Sequence, residues 1–179
     1  MRMLALALLT IVLLAQPAQA RRAKAPSDAT GLATIRYHAA PPDFTFPVGR
    51  GYSKISELAG KAVVLNFWAT WCHACIDEMP YFERMKTQFG DRVAFITLSN
   101  ETVGTARAYL ADHHLDVPLL EDPHGVIFGE YSVQPIPVTI VVDTVGKVSY
   151  VCVGGLDWGE LEGAVERALA PVSTSTQGR

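Results

Sequence analysis

Ala62-Val63-Val64-Leu65-Asn66-Phe67-Trp68, followed by Ala69-Thr70-Trp71-Cys72-His73-Ala74-Cys75, places two cysteines where a buried strand gives way to a helix. The near-continuous apolar run from Ala62 to Phe67 is what a strand covered on both faces requires. Backbone N–H groups at the following helix start have no intrahelical acceptor, and the helix dipole adds partial positive charge there. A thiolate at position 72 is therefore favoured over a thiol. That depresses its pKa and makes Cys72 the expected attacking group. Cys75, one turn further in and more buried, is the expected resolving thiol, able to attack a mixed disulfide formed at Cys72. Two thiols so placed make a two-electron switch.

A bare C-x-x-C has other readings. Zinc needs two more ligands at suitable spacing. Only Cys152 remains, and His113, His114 and His124 do not supply a second ligand pair, so no metal is expected. Haem attachment needs a histidine directly after the second cysteine, where Ile76 stands. A purely structural disulfide would gain nothing from its place at a helix start.

The 179-residue chain carries a formal charge of −3 and three cysteines. It opens with Arg2, an apolar run from Met3 to Ala15, and Gln16-Pro17-Ala18-Gln19-Ala20. A charged start, a short apolar core and a small-x-small end predict a secretory signal peptide over residues 1–20, cleaved after Ala20. Arg21 and Arg22 beyond that point leave an uncleaved membrane anchor open. Either way the expected location is periplasmic or otherwise extracytoplasmic. Residues 21–36 are small, polar and basic and read as a flexible spacer. Residues 37–170 suit one domain with a real core. The Ser/Thr-rich residues 171–179 read as a frayed tail. No basic patch is large enough to argue for nucleic acid. An odd cysteine count in an exported chain fits one pair at 72 and 75, with Cys152 left over, buried and inert.

Along the body, Pro41 to Pro47 is held extended by its prolines and reads as an edge strand or arm. Ser56 to Gly60 reads as one helical turn closed by glycine. A helix is expected from Cys72 to Phe89, with Cys75, Met79, Phe82 and Phe89 near one face, a kink at Pro80 and an end at Gly90. Val93–Leu98 is a second buried strand. Thr102–His114 is a helix with Val103, Ala106 and Leu110 on one face. Val117–Leu120 is a short strand and Pro123–Tyr131 a short helix. Val138–Val142 is a long strand, turned at Asp143–Gly146 into a hairpin partner over Lys147–Val153. Asp157 with Glu160 has the form of a capping box, opening a final helix striped by Trp158, Leu161, Val165 and Leu169. The order predicts an α/β domain with a mixed central sheet flanked by helices.

The run Val64 to Cys75, with Glu78-Met79-Pro80 and the distant Ile136-Pro137-Val138-Thr139, resembles the thioredoxin superfamily. It is most similar to the extracytoplasmic TlpA/ResA-like thiol–disulfide oxidoreductases, over about Pro42 to Leu169. The resemblance implies a thioredoxin-like fold with an extra helix-plus-strand insertion between Asn100 and Leu120. It implies a cis peptide bond before Pro137, facing the cysteines, so that the backbone at Ile136 can pair with a substrate strand. In ResA-like proteins an acid at the position of Glu78 sits by the active site. If partly buried its pKa rises, and it could exchange a proton with Cys75. Asn66 departs from ordinary thioredoxin, which has a buried aspartate there. Asn66 cannot titrate, which leaves Glu78 as the candidate acid.

Two further residues follow from placement. His73, when protonated, would stabilise a Cys72 thiolate and push the couple towards a more oxidising potential. Trp68 reads as core, whereas Trp71 reads as an apolar rim on which a partner protein docks. His113, His114 and His124 read as surface residues.

The expected function is an extracytoplasmic thiol–disulfide oxidoreductase that reduces client disulfides through Cys72 and Cys75, with no cofactor beyond that redox-active pair. The resemblance implies apocytochrome c or copper-site proteins as clients, hence cytochrome c maturation, and a membrane thiol-electron donor. The alternatives are a disulfide-donating oxidase or isomerase and a copper-binding chaperone using Cys72, Cys75 and a histidine. Thioredoxin-fold peroxidases set their cysteine in Pro-x-x-x-Thr-x-x-Cys, which Trp71-Cys72 does not match.

Overall fold

A computed structural model describes residues 32–171. The expected signal peptide and the tail beyond Pro171 lie outside the described residues. No helix among the described residues is long and apolar enough to cross a membrane.

A five-stranded mixed sheet runs in the order β5-β4-β3-β6-β7. Its strands are β3 (Ala62–Phe67), β4 (Val93–Ser99), β5 (Leu119–Glu121), β6 (Val138–Val142) and β7 (Val148–Val153). β3, β4 and β5 are mutually parallel, and β6 and β7 run antiparallel to their neighbours. Every residue of β3 and β6 is buried, as central strands covered on both faces must be.

Alternation along β3 splits the core into two layers. Val64 and Trp68 pack with Met79, Phe82 and Met85 of α1 (His73–Phe89) and with Leu161, Ala164 and Val165 of α4 (Trp158–Leu169). α2 (Thr105–Asp112) adds Ala106 and Leu110 to that layer. Val63, Leu65 and Phe67 face the other way, onto Phe44, Phe46 and Tyr131 and onto Phe128 of α3 (Val126–Glu130).

Several boundaries differ from expectation. Thr45–Val48 (β1) is not an edge of the main sheet. It pairs antiparallel with Gly51–Lys54 (β2) in a separate two-stranded sheet. β2 is polar and largely exposed, so no apolar alternation announced it. The helical turn over Ile55–Leu58 is 3₁₀, and Gly60 follows it at φ +97°. α2 starts at Thr105 rather than Thr102, because Gly104 takes a left-handed φ of +88° and its N–H goes to Glu121 Oε1 at 2.6 Å. Val103 is therefore outside the helix and 67% exposed, not on its apolar face. Leu32, expected in the spacer, is 2% exposed, and Ile35 packs beside it. The packed unit thus begins before residue 37, anchored by the two apolar side chains of an otherwise polar run.

α1 continues through Pro80 and stops at Gly90, whose N–H bonds the Lys86 carbonyl. At α4 Asp157 accepts the Glu160 N–H at 2.9 Å, which forms one half of the expected capping box.

Candidate active site

Cys72 is the N-cap of α1, in extended backbone with φ −93° and ψ 99°. Its Sγ accepts the Cys75 N–H at 3.2 Å, one of the donors that a helix start leaves unpaired. Cys72 and Cys75 are joined by a disulfide with a Cα–Cα distance of 5.2 Å. Cys72 is 8% exposed and Cys75 0%, so a group arriving from solvent meets Cys72 first. The burial difference follows from helix geometry, since position 75 lies one turn in and faces the core beside Met79 and Phe82.

The loop that delivers Cys72 is held by a residue with no signal in the sequence pattern. Glu101, just past β4, accepts the Thr70 N–H at 2.9 Å and the Thr70 hydroxyl at 2.6 Å. Ser99 Oγ donates to the same carboxylate at 3.0 Å. Three hydrogen bonds on one carboxylate fix the turn two residues before the disulfide. Trp71, between them, is 67% exposed. His73 is exposed at the first position of α1.

The Ile136–Pro137 peptide is cis. Val138 pairs with Phe67, so Ile136 and Pro137 continue β6 alongside the chain leaving β3 towards Cys72. Pro137 is buried, and its carbonyl accepts the Gly154 N–H at 2.8 Å.

Glu78 is 2% exposed. Its Oε1 accepts the Leu156 N–H at 3.0 Å, and its Oε2 has no partner. Burial pushes its carboxyl up to about 7, opposed by the Leu156 N–H and by the nearby Asn66 amide. The acid one turn after Cys75 is therefore half-protonated near neutral pH. Asn66, 1% exposed, donates from Nδ2 to Thr139 Oγ1 at 3.1 Å, and its Oδ1 has no partner.

Cys152 stands opposite Thr139 in the sheet, as Thr139 stands opposite Asn66. It is a free thiol, half-buried rather than fully buried, with its Sγ 3.7 Å from the Gly154 carbonyl. Burial raises its pKa, so Cys152 is held as the unreactive thiol. His113, His114 and His124 are exposed, and His113 stacks on Tyr109. Among the described residues no group of three or more His, Cys, Asp or Glu lies close enough to hold a metal ion.

The arrangement brings Cys72, Cys75, Glu78, Pro137 and Ile136 to one end of the sheet, with Trp71 and His73 at its exposed rim. A disulfide at a helix start, one sulfur outermost, with a buried titratable acid one helical turn after the other cysteine, is equipped for thiol–disulfide exchange. Leu65 and Ala69 stand where a peroxidase setting would have Pro and Thr, so the site lacks that signature.

Residues 38–151 match the AhpC/TSA family. The thioredoxin-like protein YneN of Bacillus subtilis is 33% identical over 126 residues, 68% of this chain and 74% of that protein. The thiol-disulfide oxidoreductase ResA of Bacillus cereus is 34% identical over 116 residues, covering 64% of this chain and 67% of its own length. Among solved structures, a thiol:disulfide interchange protein DsbE from Chlorobium tepidum superposes with a TM-score of 0.69 at 28% identity. That match covers 76% of this chain and 99% of the other.

Proposed function

The chain belongs to the AhpC/TSA family of thioredoxin-like proteins and is a thiol–disulfide oxidoreductase, and from that premise we propose that it reduces disulfides in client proteins outside the cytoplasm. The observation that carries the reading is the Cys75 N–H aimed at Cys72 Sγ at the start of α1. It would favour a thiolate on the outer of the two sulfurs.

In the reducing direction, the Cys72 thiolate attacks one sulfur of a client disulfide. A Cys72–client S–S bond forms, the client S–S bond breaks, and the first client thiolate takes a proton from solvent. The Cys75 thiol then passes its proton to the Glu78 carboxylate and attacks Cys72 Sγ. The mixed disulfide breaks, the second client thiolate leaves, and the Cys72–Cys75 disulfide remains. Two electrons pass to the client. A carboxyl held near 7 suits that transfer, because it accepts and releases a proton at neutral pH.

The client strand lies along Ile136–Pro137, which the sheet register puts beside the Cys72 loop, and packs on Trp71. His73, at the helix start beside Cys72, tunes the potential through its charge. The disulfide is the whole redox centre, without a further cofactor. Apocytochrome c or copper-site proteins are the clients that the ResA likeness favours, in cytochrome c maturation, with a membrane thiol-electron donor restoring the dithiol. Residues 1–20 would export the chain to the periplasm or its equivalent.

The test is trapping. With Cys75→Ala, the mixed disulfide cannot resolve, and cells should accumulate specific client proteins linked to Cys72. Recovery of no protein adduct, while Cys72→Ala behaves alike, would overturn the exchange mechanism.

A further inference from the structure

Three loops leave the Cys72 end of the sheet side by side, after β3, β4 and β5, and each holds one large apolar side chain out in solvent. Trp71 and Val103 are 67% exposed and Val126 58%. The other exposed large apolar side chains among the described residues lie elsewhere. Val48 and Tyr52 are on the β1–β2 hairpin. Val145 is on the turn after β6, at the opposite end of the sheet.

The three are fixed in place. Glu101 ties its loop to the Thr70 N–H and hydroxyl, next to Trp71, at 2.9 and 2.6 Å. On the other side of Val103, the Gly104 N–H donates to Glu121 Oε1 at 2.6 Å, at the end of β5. Asp122 follows, donating its N–H to the Ser99 carbonyl at 2.8 Å and accepting the Val126 N–H at 2.9 Å. One run of hydrogen bonds thus joins the three loops across the ends of neighbouring strands. Apolar side chains on a backbone already held lose little freedom when a partner covers them.

Charge on these loops is turned inward. Glu101 holds Thr70 and Ser99, Glu121 pairs with Arg107 at 3.1 Å, and buried Asp122 accepts the Val126 and Phe128 N–H groups. Apart from His124, the exposed residues of the three loops carry no ionisable group. Such a surface takes an uncharged apolar segment. A charged one would lose hydration there and find no counter-charge.

Ile136 and Pro137 lie on the β6 side of Cys72, and these loops reach away on the β4 side. We propose that a client is gripped on both flanks of its reacting cysteine, with an apolar residue of the far flank seated on Val103 and Val126. The inference rests on Cys72 exchanging disulfides with a polypeptide, and it names what that polypeptide must carry. β5 stands two strand spacings from β3, ~10 Å, which about three extended residues span. The selective position is therefore about three residues from the client cysteine, on the flank that does not pair with Ile136. Val103 and Val126 determine which client is taken, through apolar contact.

The test uses the reduced Cys75→Ala, Cys152→Ser protein, in which Cys72 is the sole thiol. Its substrates are Gly-Ser peptides whose single cysteine is bonded to thionitrobenzoate. The Cys72 thiolate attacks the peptide sulfur and a Cys72–peptide S–S bond forms. The bond to thionitrobenzoate breaks, and that group leaves as its coloured thiolate. Leu replaces Ser at each position on either flank in turn. The expected result is a rate gain of roughly fivefold for Leu about three residues out, on one flank only, the size of covering part of one valine. Lys at the same position should give no gain. Val103→Ser with Val126→Ser should erase the gain, whereas Val145→Ser should keep it. A gain that survives the double substitution, or Leu helping equally at every position or at none, overturns the proposal. A Cys72 that reacts with neither the peptides nor a small aromatic disulfide would overturn the exchange reading, and this inference with it.

Discussion

The Leu156 N–H donates to Glu78 Oε1 at 3.0 Å, tying the loop ahead of α4 to the second turn of the active-site helix across 78 residues of chain. The bond satisfies one carboxylate oxygen and leaves the other unpaired in the core. Burial wins over the Leu156 N–H and the nearby Asn66 amide, so the carboxyl sits at about 7 instead of its ordinary 4.5.

A stability consequence follows with a definite sign. The folded state binds the Glu78 proton more tightly than the unfolded chain does. Stability is therefore highest below the unfolded value, falls as pH rises through the interval from 4.5 to about 7, and is level above it. At ~1.4 kcal/mol per unit the oxidised protein loses up to about 3 kcal/mol across that window. Glu78→Gln, which resembles the neutral acid, should abolish this slope and be more stable than the wild type at pH 8. Denaturant unfolding at two pH values checks it, and parallel pH dependences in the two proteins would contradict it.

Trp71 projects into solvent beside the reactive sulfur, with 67% of its surface exposed. Trp71→Ala should change stability by less than ~0.5 kcal/mol, as surface substitutions do. It should nevertheless raise KM for protein disulfides while sparing reduction of a small aromatic disulfide. Steady-state kinetics with the two substrate types separate docking from chemistry.

Glu101 holds Thr70 by its N–H and its hydroxyl, two residues ahead of Cys72. Glu101→Ala leaves the half-buried Thr70 groups without their partner, at a cost of about 1–3 kcal/mol. The freed turn should also slow the attack of Cys72 on a client disulfide, with the resolving step unchanged. Thermal unfolding together with rapid-mixing kinetics reads both effects, and a variant identical to the wild type in both would refute the positioning role.

What could be read from the chain depended on how local the cause was. Ala62–Phe67 and Val138–Val142 announced themselves because strands buried on both faces need near-continuous apolar runs, here broken only by Asn66 and Thr139. The cysteine pair was legible for the same reason, since helix-start chemistry needs only the residues that make the start. Gly51–Lys54 was not, because an exposed polar strand defined by its partner has no pattern of its own. Leu32 looked like spacer until the fold supplied a core for it. Glu101, Thr139 and Leu156 were silent as well. Their roles come from contacts across 31, 73 and 78 residues, which only the tertiary structure creates. Cys152 fell between these cases, placed correctly in a strand but half-buried at the side of the sheet.

The most direct measurement is the rate of alkylation of Cys72 in the reduced protein as a function of pH, with Cys75 and Cys152 followed by mass. Expected is a midpoint for Cys72 clearly below the ~8.5 of a free cysteine, with Cys75 and Cys152 modified only at higher pH. A Cys72 midpoint at or above that of a free cysteine would contradict the assignment of the outer sulfur as the activated nucleophile.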